Sequence, residues 1–152
     1  MKSVEAQIYD LQSRIDTYNN TLNSACSAVQ TLEDKIERLK ETKKTVIVIQ
    51  RNINDINRSL YGKNNQPNWE GNEKKKFDKD FSGFLKDYYK FQNELNQYHD
   101  SICDEITRLE NSMNEQNGII GWCKRGINSI GNELNKLFHT KGGINVQCYT
   151  IA

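Results

Sequence analysis

The sequence has a single proline, Pro67, and neither glycine nor proline anywhere in residues 1–61, so nothing in its first two fifths would break a helix. It has no apolar run approaching the roughly 20 residues needed to cross a bilayer, which argues against stable membrane insertion. It lacks a surplus of either charge. With 21 basic and 20 acidic residues the net charge is +1, and no global field would hold nucleic acid or an anionic surface. The opening stretch "MKSVEAQIYDLQSRID" has no continuous apolar segment behind its lysine and does not read as a Sec signal peptide. Cys26, Cys103, Cys123 and Cys148 lie far apart and form no CxxC, the pattern of scattered reduced thiols rather than of a disulfide framework. A mean hydropathy of -0.84 with 36% hydrophobic residues argues against a thick globular core.

What the sequence does have is periodicity, which separates it from disordered chains of similar polarity. Val4, Ile8, Leu11, Ile15, Tyr18, Leu22, Ala25, Val29, Leu32, Ile36 and Leu39 follow one another in steps of four and three, an a/d heptad seam. The stripe resumes at Val46, Ile49, Ile53, Ile56 and Leu60 with its phase slipped. Gly62 and "KNNQPN" then end the helix. A second seam runs from Phe77 through Phe81, Phe84, Tyr88, Phe91, Leu95, Tyr98, Ile102, Ile106 and Leu109 to Met113, with its own slip at Tyr98. On this reading Phe77, Phe81 and Phe84 are core, and the lysines of "EKKKFDKD" are a solvated face. Ile120, Cys123, Ile127, Ile130, Leu134 and Leu137 carry the stripe onward past Gly118 and Gly121, where a kink or break is expected.

The expected fold is all-α: a long antiparallel two-helix hairpin, a helical rod, with helices over about 3–61 and 72–138, a turn over about 62–71, and a tail over 140–152 that is extended or disordered. Setting Leu60 opposite Phe77 also sets Ile53 against Phe84, Val46 against Phe91, Ile15 against Cys123 and Ile8 against Ile130. A shift by one heptad aligns equally well. Curvature is expected where the two slips meet, near Thr42 and Tyr98.

A hairpin of this kind buries each helix on one side only and completes its core by dimerising or by packing on another protein's helices. In "TVIVI" the residues Val46, Ile47, Val48 and Ile49 cover more of the helix circumference than one seam needs. With Tyr88 and Tyr89 they form the expected partner-binding patch.

Sites of chemistry are scarce. His99 and Cys103 stand at i, i+4, a spacing that could put two metal ligands on one helix face, but no second pair joins them. No metal site, no cofactor and no catalytic residue is expected, since a rod offers no pocket to exclude water.

The turn "NQPNWEGN" carries one further signal. Pro67 bars helix, Asn68 suits an N-cap, and Trp69 with Gly71 forms a Trp-x-Gly motif near the apex. An N-terminal heptad helix over Val4 to Leu60, "PNWEG", and then "NEKKKF" together resemble the WXG superfamily of type VII secretion proteins. They are most similar to the YwqH-like helical proteins of Gram-positive bacteria encoded beside LXG toxins, and the resemblance covers about residues 4–116. It implies a non-catalytic accessory or targeting protein that binds the helical N-terminal LXG domain of a toxin, stabilises it like a chaperone and promotes its export. A second small helical accessory protein could join that complex. The protein would be cytoplasmic before export and could leave with its partner. The export signal of the superfamily, Tyr-x-x-x-Asp/Glu or Phe-x-x-x-Asp, does not occur in the chain, so a partner would have to supply it. The alternatives are a homodimeric four-helix bundle secreted in its own right and a generic coiled-coil chaperone or tether.

Overall fold

The computed structural model describes residues 1–63 and 69–140. It contains two α-helices, α1 (Val4–Lys63) and α2 (Asn72–Thr140), and no strand among the described residues, so the fold is an all-α helical hairpin. Pro67, Asn68 and the tail from Lys141 onward lie outside the described residues.

The helix starts follow from local chemistry. Ser3 caps α1: its Oγ accepts the Ala6 N–H at 3.2 Å, its carbonyl accepts the Gln7 N–H at 3.0 Å, and Glu5 sits at the positive end of the dipole. Gly71 caps α2, its carbonyl accepting the Lys75 N–H at 3.1 Å. Its φ of +104° lies where a side chain is strained, which explains a glycine as the last residue of the Trp-x-Gly motif. The N-cap of α2 is therefore Gly71. The expected break near Gly118 and Gly121 does not occur, and α2 passes through both without interruption. A cost of about 1 kcal/mol per glycine is small beside the packing of the surrounding face.

The chain divides into two compact units, Met1–Lys35 with Leu109–Ala152, and Ile36–Arg108. In the first, Leu11, Ile15, Ile130 and Leu134 form a buried cluster against which Ile8, Tyr18, Leu137 and Phe138 pack. Leu134 and Cys123 are fully buried. Ile15 thus meets Ile130 rather than Cys123, which places the pairing about one heptad from the alignment built on Leu60 and Phe77.

In the second unit the same displacement appears: the Tyr88 hydroxyl donates to the Ile53 carbonyl at 3.4 Å, and Gln92 and Asn96 pair with Asn54 and Gln50. Neither seam slips. Along α1 the covered positions continue from Leu39 through Lys43, Val46, Gln50, Ile53 and Asn57 to Leu60. Along α2 they run Asp78, Phe81, Leu85, Tyr88, Gln92, Leu95, His99, Ile102 and Ile106, still in alternating fours and threes. The hydrophobic pattern drifts off this seam, and the seam itself stays regular.

Phe77 and Phe84 are consequently exposed rather than core, as are Phe91, Tyr98, Ile49 and Ile56, while Phe81 is half-buried. Keeping the 3-4 spacing avoids overwinding either helix, and the amides drawn into the seam bond one another, with the Asn57 Oδ1 alone left buried and unpaired among them. No polar or charged residue among those described is fully buried.

Candidate functional site

The second unit places its apolar surplus on one side. In heptad letters its seam has Lys43, Gln50 and Asn57 at a and Val46, Ile53 and Leu60 at d of α1. In α2, Asp78, Leu85, Gln92 and His99 are at a, and Phe81, Tyr88 and Leu95 at d. The residue before each a is a g position. On α1 these include Ile49 and Ile56, and on α2 they are Phe77, Phe84, Phe91 and Tyr98. In an antiparallel helix pair the g positions of both helices lie on the same flank, so all six side chains border one side of the seam. Each is between 39% and 53% exposed. Single exposed apolar residues need no explanation, but a row recurring every seven residues on one flank does.

The aromatic members form a ladder along α2. Ring centroids are 5.6 Å apart for Phe77 and Phe81, 6.4 Å for Phe81 and Phe84, and 5.8 Å for Phe84 and Tyr88, all near-parallel. The g row and the seam-facing d row thus interleave as one rigid surface with little rotamer freedom left to lose on binding. Trp69 extends the ladder: its ring lies 5.0 Å from Phe77, with the Lys74 ammonium 5.7 Å above its centroid. Lys74 is held there by Asp78, its Nζ 2.5 Å from Oδ1. The motif tryptophan therefore packs on the start of α2 and keeps 37% of its surface exposed.

The opposite, e flank of the unit is polar. Gln50 Nε2 donates to Asn96 Oδ1 at 2.9 Å, Asn57 Nδ2 to Gln92 Oε1 at 2.9 Å, and Gln92 Nε2 to Asn54 Oδ1 at 3.0 Å. Ile47, Gln50, Arg51, Asn54, Gln92 and Asn96 line a shallow groove over this network. The two helices thus bond through amides on one flank and leave a row of apolar side chains exposed on the other.

The patch expected from "TVIVI" is divided by this arrangement. Val46 is buried in the seam, Ile47 faces the polar groove, and Val48 points outward on its own. Ile49 alone joins the apolar flank. Tyr88 is half-buried with its hydroxyl bonded to the Ile53 carbonyl, and Tyr89 lies at an e position on the other side. The residues that reading by hydrophobicity missed are Ile56, Phe77, Phe84, Phe91 and Tyr98, all assigned to the seam. The signal that identifies them is the residue after each: Asn57, Asp78, Leu85, Gln92 and His99 keep the 3-4 spacing intact, and four of the five are polar.

His99 stands with its Nε2 3.9 Å from Cys103 Sγ and its Nδ1 3.2 Å from Asp100. Among the described residues no group of three His, Cys, Asp or Glu side chains could hold a metal ion, and no helix is long and apolar enough to cross a membrane. What the unit presents is an exposed apolar row along one flank.

A family model described as YwqH-like matches residues 13–137 of the chain, a span that includes nearly all of both helices. No curated protein and no solved structure matches it.

Proposed function

Since the chain belongs to the YwqH-like family, we propose that it is a non-catalytic accessory protein that binds the helical N-terminal LXG domain of a type VII secreted toxin, stabilises that domain and promotes its export. The observation that carries this reading is the heptad row of exposed aromatics, Phe77, Phe84, Phe91 and Tyr98, with Ile49 and Ile56 beside it. A helical domain with an unpaired apolar stripe would complete its own core on this flank, and the accessory chain would cover its own exposed surface in the same step. Binding of this kind stabilises whichever partner is marginal alone. The complex forms in the cytoplasm, where a second small helical accessory protein can join it, and the export signal is supplied by a partner.

The test is co-expression with an LXG domain encoded beside this chain. A stable complex that is lost on Phe84→Asp together with Phe91→Asp, with the variant still helical, supports the reading. A soluble LXG domain that never co-purifies with the wild-type chain overturns it. A tight homodimer that buries the same six residues and has no affinity for the toxin domain would replace it with a four-helix bundle of two copies.

A further inference from the structure

The apolar flank has a charged border, and the border selects what can dock. Around α2 the row next outward from g is c, which is occupied by Glu73, Asp80, Asp87 and Glu94 beside the aromatic row, one acid per heptad, and by Ser101 and Arg108 past its end. All four are exposed, and none takes part in an ion pair among the described residues. The aromatic row Phe77, Phe84, Phe91 and Tyr98 is therefore accompanied along its whole length by carboxylates one row away. The corresponding c row of α1 beside Ile49 and Ile56 is Thr45, Asn52 and Ser59, which is neutral, with Arg38 one heptad before it.

A second copy of the chain does not answer this pattern. Packing α2 antiparallel on α2 of another copy sets acid row against acid row, since like-lettered flanks face each other in that geometry. Packing α2 on α1 of another copy sets the acids against Thr45, Asn52 and Ser59. Neither arrangement sets a row of cations against the acids; the two c-row arginines of the unit, Arg38 and Arg108, lie beyond the apolar flank.

Resting on the reading that this flank receives a helical partner, we propose that its occupant is an amphipathic helix with apolar residues at heptad spacing and a border of Lys or Arg along the edge that meets Glu73, Asp80, Asp87 and Glu94. The apolar stripe supplies the cohesion, and the basic border sets which helix binds and in which direction it lies. Opposite charges across such a border raise the association rate at low salt, and like charges exclude the wrong partner.

The experiment uses the full-length chain and two synthetic helical peptides of four heptads with identical leucine stripes, one bordered by lysine and one by glutamate. Binding is followed by chemical shifts of the α2 amides. The lysine peptide is expected to bind about tenfold more tightly, the sum of several modest exposed pairs. That preference is expected to fade as salt rises from about 0.05 M to about 0.5 M. Asp80→Asn with Asp87→Asn, both at exposed positions, is expected to reduce it to about threefold while leaving helicity unchanged. Equal binding of the two peptides, or a preference that survives both substitutions, overturns the proposal. If neither peptide binds but the LXG domain does, the same Asp substitutions and salt series are applied to that complex. Insensitivity there overturns the basic border and leaves the toxin-binding function standing. An LXG domain that fails to bind while the lysine peptide succeeds has the reverse meaning.

Discussion

The ring of Tyr18 lies against the backbone of Gly126, so close that a Cβ built on the glycine would come within 2.5 Å of the ring Cζ and within 2.9 Å of two further ring carbons. Trp122 closes the contact from the side, its ring edge-on to Tyr18 at a centroid distance of 4.9 Å. The glycine is thus required by its neighbour on the other helix, in a helix interior where alanine would otherwise be favoured.

Gly126→Ala is expected to destabilise the protein by about 1–2 kcal/mol, because the overpacking cost exceeds the gain in helix propensity. In a Tyr18→Ala background the same change has free space and should instead stabilise by about 1 kcal/mol. Urea unfolding of the four chains measures both values, and a Gly126→Ala effect with the same sign in both backgrounds would show that Tyr18 is not the cause.

At two other glycines the expected signs differ for a different reason. Gly71 has open space around it but a φ of +104°, so Gly71→Ala should cost about 1–2 kcal/mol through backbone strain alone. Gly83 has equally open space and ordinary helical backbone, and Gly83→Ala should stabilise by up to about 1 kcal/mol. Thermal melts of the two variants, read side by side, separate conformational strain from steric conflict.

Trp69→Ala removes the ring that covers Phe77 and lies beneath the Lys74 ammonium. A loss of about 1 kcal/mol is expected, with faster amide hydrogen exchange confined to the first turns of α2. Exchange unchanged at residues 72–80 would mean that the stacking contributes nothing in the free chain.

The Gln92 side chain bonds Asn57 and Asn54 at once, so Gln92→Ala should cost more than its exposure suggests, about 1–2 kcal/mol, by leaving two amides unpaired. Phe91→Asp, half-exposed and outside the ring ladder, should cost no more than about 0.5 kcal/mol, and Phe84→Asp, which also loses its stacking on Phe81 and Tyr88, about 1 kcal/mol. Chemical denaturation of the three variants tests both statements. The contrast is informative because hydrophobicity alone would rank them in the opposite order.

That inversion also marks the limit of what could be read from the residues. The heptad period, the helix pair, the turn around Trp69 and Gly71, and the family were all legible, because each rests on spacing that one chain displays by itself. In residues 1–35 the apolar stripe and the covered seam coincide from Val4 to Leu32, although their partners on α2 lie about one heptad from those expected. In residues 36–108 they part company. Reading by hydrophobicity followed Ile49, Ile56, Phe77, Phe84, Phe91 and Tyr98, whereas the fold follows Gln50, Asn57, Asp78, Leu85, Gln92 and His99. The preference for amides over phenylalanines in a seam depends on partners across the hairpin. Gln50 needs Asn96 and Asn57 needs Gln92, and neither relationship is local in the chain. The apolar flank is visible only once that exchange has been made.

The amide network also acts on alignment. An aliphatic seam is nearly indifferent to sliding by seven residues, since one leucine replaces another. Gln50, Asn54, Asn57, Gln92 and Asn96 resist such a step, because a slide would break all three of their mutual bonds, the part-buried one between Asn57 and Gln92 at the greatest cost. They work like the teeth of a key, contributing little to the grip between the helices and most of the information about where each must stop. A chain with leucine at these five places would hold together more firmly, and its aromatic rungs could settle one heptad away from where a partner expects to find them.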